Sequence, residues 1–494
     1  MNRALRRISV AVLVMFLLLL INVNYLQGFD TASLAKDPGN SRAFYAAQNS
    51  YERGSILTSD GVTIAASKLS GPNDAIKYQR YYPKGAEYAP VTGYDTLYSQ
   101  TGIEQAENPL LSGNDSALDV RKFIDLITGK TIKGASVTLT VNSAAQNAAY
   151  AGLAALGHPG GVVAINPQTG AILAMATYPS YNPDLLAVHN GNQIVSNDNA
   201  LLKNPAQPLI NRAINATFPP GSTFKIVTSS AFLSQDTTRN TQTSVYSPTV
   251  YTLPNGNSLS NNDGEICGAG TGHTTLITAF TQSCDTTFAN LGVQLGNAVL
   301  KNYADMFGFN DQNLTVPMLA SPSNYPPLTD KSFTAMSAIG QFDDTASPLQ
   351  EAMLSAAIAN HGALMRPYLV QQITASDLST VQTTTPAVLK QTLSSTVAGE
   401  VGQMMLAVVQ DSNGTGFQFN SNAEGGLLIA GKTGTAETGQ ASGLDDAAFT
   451  CFAPYANPQI AVGVIIQGGG YGAAAAAPIA VQVVKAYLAY LRTK

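Results

Sequence analysis

The hydrophobic and polar positions divide the chain into three stretches of different character. After Arg3, Arg6 and Arg7, an apolar run extends from Ile8 to Ile21 and continues less strictly, through Asn22 and Asn24, to Leu26. As a helix the strict run rises roughly 21 Å; the extended one rises roughly 28 Å, about enough to cross a bilayer. The arginines in front of it predict a cytoplasmic tail over 1–7, a single-pass anchor over 8–26 and a body outside the cytoplasm. A cleaved secretory leader is the alternative, but no clear Ala-x-Ala follows.

Residues 27–157 are polar and carry short strand-like pieces. Ser55–Leu57 and Val62–Ala65 flank Ser59-Asp60-Gly61, a hairpin signal. Gly134–Val141 alternates like a strand, and Asn142–Leu156 reads as an Ala-rich helix. No catalytic constellation stands out here, so this stretch reads as a pedestal.

From 158 the pattern changes to continuous apolar strands separated by helices. Gly161–Ile165 and Ala171–Ala176 are joined by the turn Asn166-Pro-Gln-Thr-Gly170. Thr275–Leu295 reads as one helix, and Ser337–Ala359 as a buried helical region interrupted near Ser347-Pro348. Leu427–Ala430 opens a strand that runs into Gly431-Lys432-Thr433-Gly434-Thr435; Phe449–Phe452 and Ile460–Ile466 follow as strands, and Pro478–Leu491 closes the chain as a helix. Two strands early, three late and helices between predict an α/β (α+β) domain over 158–494. Its core is a mixed sheet of about five strands with helices on both faces.

Composition narrows the function little. A chain of 494 residues, 45% hydrophobic and 12% charged, is globular and long enough for roughly two to four domains. A net charge of −5 without a basic patch argues against nucleic-acid binding. The four histidines are scattered and no Cys/His spacing suggests a metal. Of the three cysteines, Cys267 and Cys284 flank a Gly-rich loop and make a candidate disulfide in an exported protein; three separate buried thiols are the other reading.

The candidate chemistry begins at Pro219-Pro-Gly-Ser222-Thr-Phe-Lys225. Ser222 and Lys225 stand three apart, side by side on a helix, so a hydroxyl at a helix start has an amine one turn on. One Ser-x-x-Lys arises by chance in a chain this size, and Ser33-Leu-Ala-Lys36 is such a decoy. Lys432-Thr433-Gly434, by contrast, is expected roughly a tenth of a time. With Ser283-Cys284-Asp285 between them, these segments supply what acyl transfer at an amide requires. Ser222 is the nucleophile, Lys225 the proton acceptor and Ser283 a relay. Lys432, Thr433 and Thr435 hold an anion, and the backbone N–H groups of Ser222 and Thr435 can form an oxyanion hole.

The three boxes in this order resemble the penicillin-recognising active-site serine enzymes. Arg53-Gly54-Ser-Ile56 with Asp60-Gly61, Tyr82-Pro-Lys-Gly85, Thr101-Gly-Ile-Glu104, Ala164–Gly170, Ser337–Gln341, Ser347–Gln350 and Ala357–Asn360 extend the likeness to the class B penicillin-binding proteins. Among these, the chain is most similar to the small actinobacterial transpeptidases of the penicillin-binding protein A type. The resemblance implies a transpeptidase fold and a peptidoglycan D,D-transpeptidase that cross-links stem peptides through a Ser222 acyl-enzyme, releases D-alanine and is acylated by β-lactams. It implies no metal or organic cofactor, and a peptidoglycan glycosyltransferase or proteins of division or elongation as partners.

One departure stands out. The family's second box ends in Asn, and here it ends in Asp285, which as a carboxylate only accepts hydrogen bonds. Asp285 therefore implies reduced β-lactam affinity. Two other functions use the same residues: a β-lactamase or D,D-carboxypeptidase with water as acceptor, and a weakly catalytic scaffold or β-lactam-binding decoy.

Overall fold

The computed structural model describes residues 3–28, 51–72, 74, 76–119, 122, 127–128, 133–437 and 444–494. The Ser33–Lys36 decoy lies outside them. The first helix spans Arg3–Gly28, 26 residues and so about 39 Å long. No residue of Arg6–Leu26 is buried by the protein. Asn24, the polar residue near its end, donates its amide to Leu20 O at 2.7 Å. An apolar helix of this length without protein cover fits a membrane anchor.

The pedestal is organised on a six-stranded sheet. Its spatial order is Thr380–Thr383, Val370–Thr374, Ser136–Leu139, Ile56–Leu57, Thr63–Leu69 and Tyr78–Tyr81. The expected hairpin is present, with Ile56 opposite Ala65 and Leu57 opposite Thr63. Two of the six strands come from the far side of residue 158: Val370–Thr374 lies antiparallel to Ser136–Leu139, closing the sheet from more than 200 residues away in sequence. The family-like Arg53 and Glu104 meet underneath. Arg53 Nε and Arg80 Nε each lie 2.6 Å from one oxygen of the fully buried Glu104. Burial works against that carboxylate, yet Arg80 and Arg53 overcome it and hold its pKa below the usual range.

Five strands form the second sheet, in the order Ala430–Ala436, Asp446–Ala453, Ile460–Ile466, Gly160–Ile165, Ile172–Tyr178. The strand number matches the expectation, but the mixed character does not: all four pairings are antiparallel. Three of them join chain neighbours through short connections, which only antiparallel partners permit. A parallel pairing occurs instead in the pedestal, between Ile56–Leu57 and Ser136–Leu139. Every residue of Gly160–Ile165, Asp446–Ala453 and Ile460–Ile466 is buried, which requires cover on both faces. Ser143–Leu156 and Gly472–Arg492 pack together on one side, and Pro348–Ala359 covers the other.

That last helix approaches at Gly463, where a Cβ would come within 2.3 Å of Ala352 N and 2.4 Å of Pro348 O. Gly463→Ala is therefore expected to push the helix off the sheet and destabilise the protein by about 1–3 kcal/mol, readable as a lowered thermal midpoint. The helix itself starts where anticipated, with Ser347 Oγ accepting from Gln350 N at 3.2 Å. The closing helix is longer than expected. Its poly-Ala start from Gly472 carries helix propensity high enough to place Pro478 in the helix interior.

Candidate active site

Thr275–Leu295, expected as one helix, is two: Leu276–Thr281 and Asp285–Leu295. Ser283 breaks them by adopting a left-handed φ of +59°, which turns its side chain into the cleft between the helices and the strand Ala430–Ala436. Cys284, fully buried, is bonded to Cys267, with Cα atoms 6.0 Å apart, so the kink is tied to the neighbouring Gly-rich loop. Asp285 then stands in the first turn of an 11-residue helix, where the dipole favours negative charge.

Ser222 lies in a 3-10 turn, Gly221–Phe224, that passes directly into the helix Lys225–Ser234. This turn presses on the strand carrying Lys432: a Cβ on Gly434 would come within 2.7 Å of Pro220 O. Glycine at that position lets the nucleophile and the strand approach.

The three boxes converge. Lys225 Nζ is 3.0 Å from Ser222 Oγ, 2.8 Å from Ser283 O, 3.1 Å from Ser283 Oγ and 2.7 Å from Asp285 Oδ1. Lys432 Nζ is 2.9 Å from the same Ser283 Oγ and 3.0 Å from Thr433 O. One serine hydroxyl thus bridges both lysines. Thr433 and Thr435 line a cleft of about 760 Å³ together with Ser222, Ser283 and Asp285.

Both lysine side chains are completely buried, and Asp285, about 20% exposed, is paired with Lys225 alone of the two. Burial depresses the Lys225 pKa, with Asp285 pulling it back up. Lys432 is depressed much further, by burial and then by the Lys225 charge, with Asp285 opposing. The phenyl rings of Phe288 and Phe280 sit 5.5 and 5.7 Å from the two ammonium positions. A polar relay between two amines of unequal proton affinity can accept a hydroxyl proton and deliver it elsewhere.

All the residues expected from the motifs are therefore brought together: Ser222, Lys225, Ser283, Asp285, Lys432, Thr433, Gly434 and Thr435. Three further residues were not anticipated. Thr415, from the loop after a helix, shares a 2.6 Å hydroxyl contact with Thr433. Asn261 lines the cleft and accepts from Thr286 N at 3.0 Å. Glu351 lies behind the nucleophile's turn, with Oε1 2.9 Å from Thr223 Oγ1. The dipeptide Asn413-Gly414 is a turn signal beside Thr415, but it does not say where that loop folds back.

A serine–lysine pair at a helix start, a second serine bridging to a strand lysine, and this two-faced sheet define a penicillin-recognising serine acyltransferase. Residues 160–485 match the family described as penicillin binding protein transpeptidase domain, residues 53–137 match the penicillin binding protein A dimerisation domain, and the chain belongs to the penicillin-binding protein transpeptidases. It is 39% identical to the peptidoglycan D,D-transpeptidase PbpA of Mycolicibacterium smegmatis, over 97% of each chain. To the PbpA of Mycobacterium tuberculosis it is 37% identical over 99% of each. The solved imipenem acyl-enzyme complex of penicillin-binding protein A from M. tuberculosis superposes with a TM-score of 0.84 at 35% identity, covering 90% of this chain and 100% of that one.

Proposed function

We propose that the protein is a peptidoglycan D,D-transpeptidase that works from the outer face of the cytoplasmic membrane through a Ser222 acyl-enzyme. The observation that carries this reading is the unbroken line Ser222 Oγ, Lys225 Nζ, Ser283 Oγ, Lys432 Nζ, with steps of 3.0, 3.1 and 2.9 Å. Ser222 Oγ attacks the carbonyl carbon of the terminal D-Ala-D-Ala bond while Lys225 takes its proton. The developing oxyanion rests on the backbone N–H groups of Ser222 and Thr435. Thr433, Thr435 and Lys432 hold the terminal carboxylate, whose arrival favours the charged form of a lysine whose proton affinity burial lowers. Ser283 passes a proton to the leaving nitrogen, and D-alanine departs. An amine from a second stem peptide then attacks the ester, forming the cross-link and freeing Ser222.

The arginines in the first turns of the first helix set its orientation, with a single-pass anchor holding the catalytic region outside. A membrane-bound enzyme that only cross-links requires nascent glycan strands, so a peptidoglycan glycosyltransferase is its natural partner. Incubating the purified protein with a penicillin and weighing it intact tests the assignment. A single adduct, mapped to Ser222 and retained over hours, is expected. Rapid release of the adduct would instead identify a β-lactamase, and an adduct on another residue would remove Ser222 from the role.

A further inference from the structure

Behind the nucleophile lies a carboxyl group that the reaction does not use. Glu351 sits on the helix Pro348–Ala359, completely buried, against the turn that carries Ser222. Its Oε1 is 2.9 Å from Thr223 Oγ1, and its Oε2 has no hydrogen-bond partner among the described residues. Thr223 Oγ1 is also 2.9 Å from Pro220 O, the carbonyl two residues before the nucleophile.

Counting protons decides the state of this group. A threonine hydroxyl has one proton to donate, and here two acceptor oxygens lie at the same distance from it. Both contacts are hydrogen bonds only if Glu351 carries a proton and donates it to Thr223, leaving Thr223 to donate to Pro220 O. Burial points the same way, pushing the Glu351 pKa up to about 8. The titratable groups on the elements around it are Lys225, Lys432, Asp446, Cys451 and Glu400; the strands Gly160–Ile165 and Ile460–Ile466 beneath it have none. None of these groups bonds to it, and its backbone carbonyl is taken by Thr450 Oγ1 at 2.5 Å.

From this geometry we infer that protonated Glu351 is a positioning residue for acylation, holding the Pro220–Ser222 turn through Thr223, and that losing its proton releases the turn. When Glu351 ionises, the Thr223 proton is drawn to the carboxylate and the bond to Pro220 O is lost. The same turn sets Ser222 Oγ against Lys225 and places the Ser222 N–H of the oxyanion hole. The inference rests on the acyl-enzyme reading above. Failure of that reading would appear as the absence of any adduct, whereas failure of this one would appear in the pH dependence of an adduct that does form.

The test is the rate of acylation by a fluorescent penicillin, measured from pH 6 to pH 9.5 on the full chain and two variants. In the parent, the rate is expected to fall on the alkaline side with a midpoint near the raised Glu351 value of about 8. Glu351→Gln keeps a donor for Thr223 but does not ionise, so it should acylate within about threefold of the parent at pH 7 and lose the alkaline fall. Thr223→Val cuts the link from the other end and should be about tenfold slower at pH 7, likewise without the fall. An alkaline fall of unchanged midpoint in Glu351→Gln would overturn the inference, as would a Thr223→Val enzyme with the parent's rate and profile.

Discussion

Lys225→Ala is expected to slow penicillin acylation by about 10²–10⁴-fold, the range associated with loss of a positioned general base. Lys225 Nζ is the amine that touches the Ser222 hydroxyl, and it holds Ser283 and Asp285 at the same time. Removing it takes away the proton acceptor and leaves the Asp285 carboxylate without its buried partner. Lys225→Arg separates the two effects. Arginine can keep the ion pair with Asp285, but it does not give up its proton, so it should not restore the rate. Stopped-flow or gel-based acylation rates, with thermal melts to confirm folding, would measure this. An arginine variant as fast as the parent would assign Lys225 to holding the structure and not to proton transfer.

Asp285→Asn is expected to act in the opposite direction, accelerating acylation by about ten- to a hundredfold, the worth of a hydrogen bond of about 1–3 kcal/mol in a dry site. Asp285 Oδ1 is 2.7 Å from Lys225 Nζ and favours the protonated amine. An asparagine withdraws that charge and offers an N–H to a ligand carbonyl. The sign on pH follows from the direction of the Lys225 shift. A base must be neutral to act, so the rate climbs as pH rises through the Lys225 pKa. Removing the group that raises this pKa moves the rising limb to lower pH. The fall assigned to Glu351 should stay in place. Equal acylation rates and profiles for the two proteins would show that Asp285 does not tune the site.

The three boxes were legible because each is a short run of chain whose chemistry needs its members close in sequence, and because Lys432-Thr433-Gly434 is rare by chance. The sheet strands were legible for a related reason: Ile460–Ile466 and Gly160–Ile165 are covered on both faces and so read as unbroken apolar runs. What escaped was set by distant parts of the chain. The break at Ser283 lies within an unremarkable helical pattern, and it is stabilised by a turn and a disulfide rather than by Gly or Pro. Glu351 occupies a helix of otherwise small and apolar residues, and nothing local says that its carboxyl meets Thr223 from 128 residues away. The strands Val370–Thr374 and Thr380–Thr383 look like parts of the region they follow. Their partners are chosen by an open sheet edge in another part of the molecule.

That shared edge has a mechanical meaning. The pairs Val370 with Leu139, Ile373 with Val137 and Thr374 with Ser136 connect the anchored part of the chain to the catalytic part by backbone hydrogen bonds as well as by covalent continuity at 157–158. Tension on the membrane helix, as when a growing wall drags its substrate away, is therefore carried sideways across a sheet in shear instead of along a single strand of linker. The distance from the pedestal sheet to the cleft behaves as a strut of fixed length rather than a tether. Clipping the chain between the two regions would leave them attached.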